Sequence, residues 1–163
     1  MRNIMKITIW SWNVNGLRAV MNKDFVKTIQ KADVDILGLQ ETKLQGHQIP
    51  EELAELADYH KYWSHAQRKG YSGTALFSKT EPQSFSDAFG VEEFDTEGRI
   101  NIAEYEQFIL FNVYFPNGAM NDGRLDYKLR FYDKALEVMN SKRQNGKAVI
   151  VMGDYNTAHK EID

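Results

Sequence analysis

Ala148-Val149-Ile150-Val151-Met152-Gly153-Asp154-Tyr155-Asn156-Thr157-Ala158-His159 is the stretch on which the fold reading turns. An apolar, β-branched run stops at a glycine and gives way to Asp154 and, two positions on, Asn156. Such a run reads as a buried strand. In open α/β sheets, ligands bind just outside the carboxyl ends of strands. Side chains two apart on extended chain face the same way, so Asp154 and Asn156 are expected to point together. A carboxylate beside a carboxamide offers oxygen to a hard cation, a water or a phosphate. Asp, Asn and Gly are also ordinary turn residues, so this segment alone leaves both a turn and a site open.

Working outward, the same pattern repeats. Ile7 to Asn15 opens as a strand rich in β-branched and aromatic residues and ends at Gly16. Phe25, Val26, Ile29 and Ala32 recur at helical spacing, predicting a short helix over 22–32. Val34 to Glu41 reads as a second strand running into polar residues, and Pro50-Glu51-Glu52 as a helix start. Tyr71 to Ser78 reads as a strand; 99–104 and 108–115 read as a hairpin across Tyr105-Glu106-Gln107. Apolar residues at 125, 129, 132, 136 and 139 predict a helix whose core face is that stripe. Three or four helices and about six strands in one run, with no linker or repeat, predict an α/β sandwich with one sheet face short of cover.

Composition narrows the chemistry. The 163 residues suffice for one domain with a sizeable core. The absence of cysteine excludes disulfides, thiolate zinc sites and cysteine nucleophiles, and suits a cytoplasmic protein. No apolar run approaches the roughly 18 residues that span a bilayer, and the N-terminus lacks a signal-peptide pattern, so no membrane partner is expected. A net charge of −3 announces no global affinity for nucleic acid but leaves a local basic patch open.

Polar residues gather where apolar runs stop: Asn13 and Asn15, Glu41, Tyr114 and Asn117, Asp154 and Asn156. Four histidines and no cysteine argue against zinc; oxygen donors point to Mg2+ or Mn2+, with Glu41 the best single ligand. The chemistry suggested is phosphoryl transfer or phosphodiester hydrolysis. Each residue has a plainer alternative. Glu41 could pair with Lys43, Asn13 could shape a turn, Tyr114 could fill core, and Arg68 and Lys69 could be a solvated turn or, beside Tyr71, a phosphate contact. His159 reads as a packed or capping residue.

Six segments also carry a resemblance: Trp12-Asn13-Val14-Asn15-Gly16-Leu17-Arg18-Ala19, Leu39-Gln40-Glu41-Thr42-Lys43, Gly70-Tyr71-Ser72-Gly73, Glu97-Gly98-Arg99, Tyr114-Phe115-Pro116-Asn117 and Gly153-Asp154-Tyr155-Asn156-Thr157-Ala158-His159. In that order they resemble the exonuclease III type of apurinic/apyrimidinic endonuclease, within the endonuclease/exonuclease/phosphatase superfamily, over residues 6 to 163. The resemblance implies an α/β fold that is part of a four-layer sandwich with mixed sheets. It implies an Mg2+-dependent DNA repair nuclease, acting on double-stranded DNA and cutting 5′ to abasic sites, with 3′–5′ exonuclease and 3′-phosphatase action. Matching positions make Asn13, Glu41, Asp154 and Asn156 the metal set and Tyr114, Asp154 and Asn156 the catalytic set. Tyr71, Arg99 and Asn117 become the grip on the DNA backbone.

Family members continue past this point with a second sheet, a Trp-Arg-x-Asp-Tyr-like segment and a Ser-Asp-His motif. None of His47, His60, His65 and His159 replaces that histidine. Residues 1–163 therefore read as an N-terminal portion, the C-terminal half missing, and activity is expected to be impaired. Two alternatives stay open: a phosphodiesterase or phosphatase on small or lipid phosphates, and an inactive half-domain that binds DNA or a partner and self-associates through uncovered surfaces.

Overall fold

Alternation of apolar residues along short strands builds two sheets, each covered on its outer face by helices. The computed structural model describes residues 6–118, 121–144, 146–158 and 160. His159 lies outside them. In the first sheet, β1 (Ile9–Asn13) runs parallel to β2 (Ile36–Gln40), which pairs antiparallel with β4 (Thr74–Ser78), itself antiparallel to β3 (His60–Ser64). In the second, β5 (Ser84–Ser86), β6 (Ile100–Glu104) and β7 (Phe108–Tyr114) are antiparallel, and β8 (Ala148–Asp154) joins β7 in parallel. The orders are β1-β2-β4-β3 and β5-β6-β7-β8, so β1 and β8 are both edges, and they lie beside each other.

Period-two patterning assigns each face. Leu37, Leu39, Ala75 and Phe77 pack outward on Leu17 and Val20 of α1 (Leu17–Met21) and Phe25 and Ile29 of α2 (Phe25–Ala32). Ile36 and Leu76 face the second sheet and meet Ala103, Phe108, Leu110 and Met152. Ile109, Phe111 and Val113 pack outward on Phe94 of α3 (Glu92–Asp95) and on Tyr127, Phe131 and Ala135 of α4 (Asp122–Gln144). The layers are therefore helix, sheet, sheet, helix.

Several expectations change. Among the described residues eight strands form rather than about six, and a second sheet lies within this chain. β3 was hidden by the polar residues of His60-Lys61-Tyr62-Trp63-Ser64, and β5 is only three residues long. His60 is the first residue of β3 and His65 follows its end. The helix after Pro50 is a single 3-10 segment, Glu51–Glu55. β8 is half-buried at an edge rather than enclosed. Both outer faces are covered; the edge strands are β1 and β3 in the first sheet and β5 and β8 in the second.

The largest correction concerns α4. Leu125, Leu129 and Leu136, expected in the core, are 46%, 56% and 58% exposed, whereas Phe131 is fully buried. The packed face is Tyr127, Phe131 and Ala135, with Tyr132, Val138 and Met139 partly buried against it. The helix carries two apolar faces, and periodicity alone could not say which one meets the sheet. Phe131→Ala is expected to cost about 3–5 kcal/mol. Leu129→Ser should stay within about 0.5 kcal/mol. Urea unfolding of both variants checks the assignment.

Candidate active site

The site forms where β1 and β8 end side by side. Asn13, the last residue of β1, faces the second sheet; Asp154, the last of β8, faces the first. The Asn13 carboxamide nitrogen donates to Glu41 Oε1 at 2.9 Å and to Asp154 Oδ2 at 2.7 Å. One amide thus ties two carboxylates together, one from each sheet, within two hydrogen-bond lengths of each other. Its own oxygen accepts from the Asn15 backbone N–H at 3.0 Å. Asn13 accordingly presents nitrogen, not oxygen, to the carboxylates, and the oxygens available to a cation here belong to Glu41 and Asp154.

Alternation alone would aim Glu41 at the helices, because Gln40 faces between the sheets. A left-handed backbone at Glu41, φ 55°, redirects it into the site. Asn15, Lys43, Ser72 and Asn156 share that conformation. Each such residue costs on the order of 1–3 kcal/mol and persists only where surrounding contacts hold it. Neighbouring bonds do so: Gly16 N–H to Glu41 O at 2.7 Å, Lys43 N–H to Ser72 O at 2.8 Å, and Thr42 N–H to Gly73 O at 3.0 Å.

Lys43 lies 3.0 Å from Glu41 Oε2 and donates to Asn15 Oδ1 at 2.5 Å. The Tyr114 hydroxyl hydrogen-bonds the Glu41 carboxylate. Burial pushes the Glu41 carboxyl up, but the bonds from Asn13, Tyr114 and Lys43 and the Lys43 charge outweigh it, holding Glu41 below the ordinary glutamate range. Burial and the adjacent Glu41 carboxylate push the Tyr114 phenol up to about 12. Tyr114 therefore stays a neutral hydrogen-bond donor at physiological pH.

Asp154 and Asn156 form a turn, so the alternation expected to aim both side chains together does not extend to Asn156. Extended alternation stops at Asp154, whose Oδ1 accepts the Asn156 backbone N–H at 2.9 Å, closing a turn. Asn156 donates its carboxamide to Phe115 O at 2.8 Å and its side chain also bonds Tyr114. Lys128 of α4 holds the Asn156 carbonyl at 2.6 Å.

The rim is basic and aromatic. Arg99, only 2% exposed, donates to Tyr114 O at 3.1 Å and to the Tyr71 hydroxyl at 2.8 Å, and stacks over both rings. Arg124 donates to the same hydroxyl at 2.9 Å. Glu97 accepts from Arg99 at 2.5 Å and from Arg124 at 2.8 Å. Arg68 lies over the outer side of Tyr71, and Gln67, Arg68, Tyr71, Thr96, Glu97 and Arg124 line an open cleft. Asn117 is exposed three residues beyond Tyr114 and is not placed by any of these bonds.

Arg124 escaped sequence reading. The signal was present: an arginine in the first turn of a helix opposes the helix dipole, which asks for another role.

Burial raises the Glu97 carboxyl, but Arg124 and Arg99 outweigh it, and its folded value lies below the ordinary one. The carboxylate's stabilising contribution is therefore complete above the unfolded glutamate pKa of about 4.3. It is lost as pH falls through the depressed folded value. Glu97→Gln, which strands the buried Arg99 charge, is expected to cost about 2 kcal/mol at pH 7. Thermal melts should show that deficit narrowing toward pH 3.

The profile of the Endonuclease/Exonuclease/phosphatase family matches residues 10–163. An exodeoxyribonuclease of Bacillus subtilis is 47% identical over 154 residues, covering 94% of this chain and 60% of that protein. The DNA repair nuclease APEX1 of Danio rerio is 42% identical over 161 residues, covering 98% of this chain and 51% of that protein. Among solved structures, an AP endonuclease from Archaeoglobus fulgidus superposes with a TM-score of 0.82 at 26% identity, over 97% of this chain and 60% of that one. The Xenopus laevis APE2 catalytic domain gives 0.82 at 33% identity, over 98% and 60%. The chain thus spans about half to three-fifths of the length of each of these four proteins. Two mixed sheets between helices, a family profile over nearly the whole chain and relatives of this kind agree: the chain belongs to the endonuclease/exonuclease/phosphatase family, in its exodeoxyribonuclease and AP endonuclease type.

Proposed function

We propose that this chain carries the acidic half of a divalent-metal-dependent DNA repair nuclease that hydrolyses the phosphodiester 5′ to abasic sites and trims 3′ ends. The observation behind it is the convergence of Glu41 and Asp154 from two sheets onto the Asn13 amide. The donor set suits Mg2+ or Mn2+, which take one or two carboxylates and keep several waters. A cation, the Lys43 ammonium, already sits against Glu41.

Glu41 and Asp154 would hold the ion, which supplies charge neutralisation of the phosphate as the transition state develops. The chain's own residues do the rest. Asp154 orients the attacking water and accepts its proton. Tyr114, kept neutral, donates to a phosphate oxygen, and Asn156 shares the charge of the pentacovalent state. Tyr71 and Arg124 grip the backbone, with Asn117 at the exposed rim; Arg99, expected from the sequence to join them, is buried behind and holds the Tyr71 hydroxyl instead. That basic, aromatic rim favours a polyanion over a small or lipid phosphate.

The test compares a duplex bearing one abasic site, a duplex with recessed 3′ ends and a small phosphodiester, each with Mg2+ and with EDTA. Metal-dependent nicking 5′ to the abasic site is expected, and weakly, since the chain spans about half to three-fifths of its relatives. Preferential turnover of the small ester would sink the reading. The exposed Leu125, Leu129 and Leu136 and the edge strands favour a second one, a binding half that self-associates. Sedimentation at several concentrations decides it.

A further inference from the structure

A layer of buried amides lies directly beneath the site, between the two sheets. Ser11, Gln40 and Asn112 come one or two residues before Asn13, Glu41 and Tyr114, and Asn101 pairs with Asn112 across the ladder. Gln40, Asn112 and Asn101 are at most 1% exposed. Gln40 Nε2 donates to Asn112 Oδ1 at 2.6 Å and to Ser11 Oγ at 3.1 Å. Asn112 Nδ2 lies 3.2 Å from Leu39 O, 3.0 Å from Ala75 O and 2.9 Å from Asn101 Oδ1. Asn112 belongs to the second sheet, yet it binds two carbonyls and a side chain of the first. A Cβ on Gly38 would lie 2.7 Å from Asn112 Oδ1, so the amide enters only because that residue is glycine.

Stability does not account for this layer. Further from the site the same intersheet space is filled by Ile36, Leu76, Leu110 and Phe108. Replacing a buried polar group and its partners by apolar groups of the same shape is close to neutral. Here one donor, Asn101 Nδ2, finds no partner among the described residues, a cost that apolar packing would avoid. What hydrogen bonds add is a set distance and register. Apolar surfaces slide, whereas an amide bound to three oxygens does not.

We propose that Asn112, together with Gln40, is a positioning residue: it holds the Glu41 sheet against the Asp154 sheet at the separation the Asn13 amide bridges. The proposal rests on Glu41 and Asp154 acting as one cation site. It predicts that the layer sets cation affinity more than it sets stability.

The experiment titrates Mn2+ into the chain by calorimetry and records thermal melts alongside. Gln40→Met keeps side-chain volume and removes the amide; Asn112→Leu removes the bridge itself. Gln40→Met strands the Asn112 acceptor and should lower Tm by several degrees, less than Phe131→Ala does, yet bind Mn2+ about tenfold more weakly, and Asn112→Leu roughly tenfold to a hundredfold more weakly. Phe131→Ala, remote and destabilising, should lower Tm and leave Mn2+ affinity unchanged. That split separates positioning from a general loosening of the fold. If Asn112→Leu does not fold, Gln40→Met decides alone. Unchanged binding in both variants, with binding lost in Glu41→Gln, overturns the positioning role and leaves the site standing. Binding that survives Glu41→Gln, or a parent chain that takes up no Mn2+, overturns the site and the proposal together.

Discussion

Glu41→Gln is expected to weaken divalent-cation binding by at least a hundredfold and to remove metal-dependent cleavage. Gln at this position keeps one oxygen for the Asn13 amide and gives up the second, which Lys43 meets; Lys43 is part-exposed and keeps its bond to Asn15, so the fold should hold and Tm should fall by only a few degrees. What disappears is one of the two negative charges, and second-sphere changes alone cost roughly 10- to 100-fold in affinity. Asp154→Asn should match it on the other sheet, with a larger loss in turnover, because the carboxylate placed against the attacking water goes too. The pH dependence follows from the hydrogen bonds on Glu41. Because its carboxyl sits below the ordinary glutamate range, its charge persists at neutral and mildly acid pH. Mn2+ affinity should stay flat from about pH 8 to pH 5 and fall only in more acid solution. Calorimetry across that range checks it; a midpoint near pH 6 to 7 would mean that another group governs binding.

The second large effect is expected at Gly153. Its φ is +136°, where L side chains rarely sit, and it pairs with Val113 in the β7–β8 ladder. An added Cβ would lie 1.9 Å from the Val113 carbonyl oxygen, a rigid backbone atom. Gly153→Ala must push β8 off β7 or re-aim the chain. Strain at positive φ and overpacking together should cost about 3 kcal/mol or more. Since Asp154 is the next residue, loss of stability and loss of Mn2+ binding should appear together. That pairing distinguishes Gly153→Ala from Phe131→Ala, which should lower stability alone.

These two positions show unequally what was legible in the chain. Glu41 stood out because an apolar strand ended in a lone acid, and Asp154 for the same reason. The convergence of the two follows from topology: β1 and β8 are edges of different sheets that lie side by side. No local pattern contains that fact. Gly153 looked like turn punctuation; its demand on the ladder appears only once Val113 is known to be its partner.

By itself the sequence settled the order of six strands and of α2 and α4, with β3, β5, α1 and α3 missed, the hairpin of β6 and β7, and the placing of oxygen-bearing residues at strand ends. Those follow from periodicity and turn chemistry, which are local. Tertiary structure alone decided which of two apolar faces of α4 meets the sheet, and that β8 is an edge. It also decided that Asn13 shows nitrogen to its neighbours, and that Arg124 joins Arg99 on Tyr71. Each depends on what lies opposite in space: burial, hydrogen-bond polarity and charge pairing are properties of pairs of residues, often far apart in the chain, not of one segment.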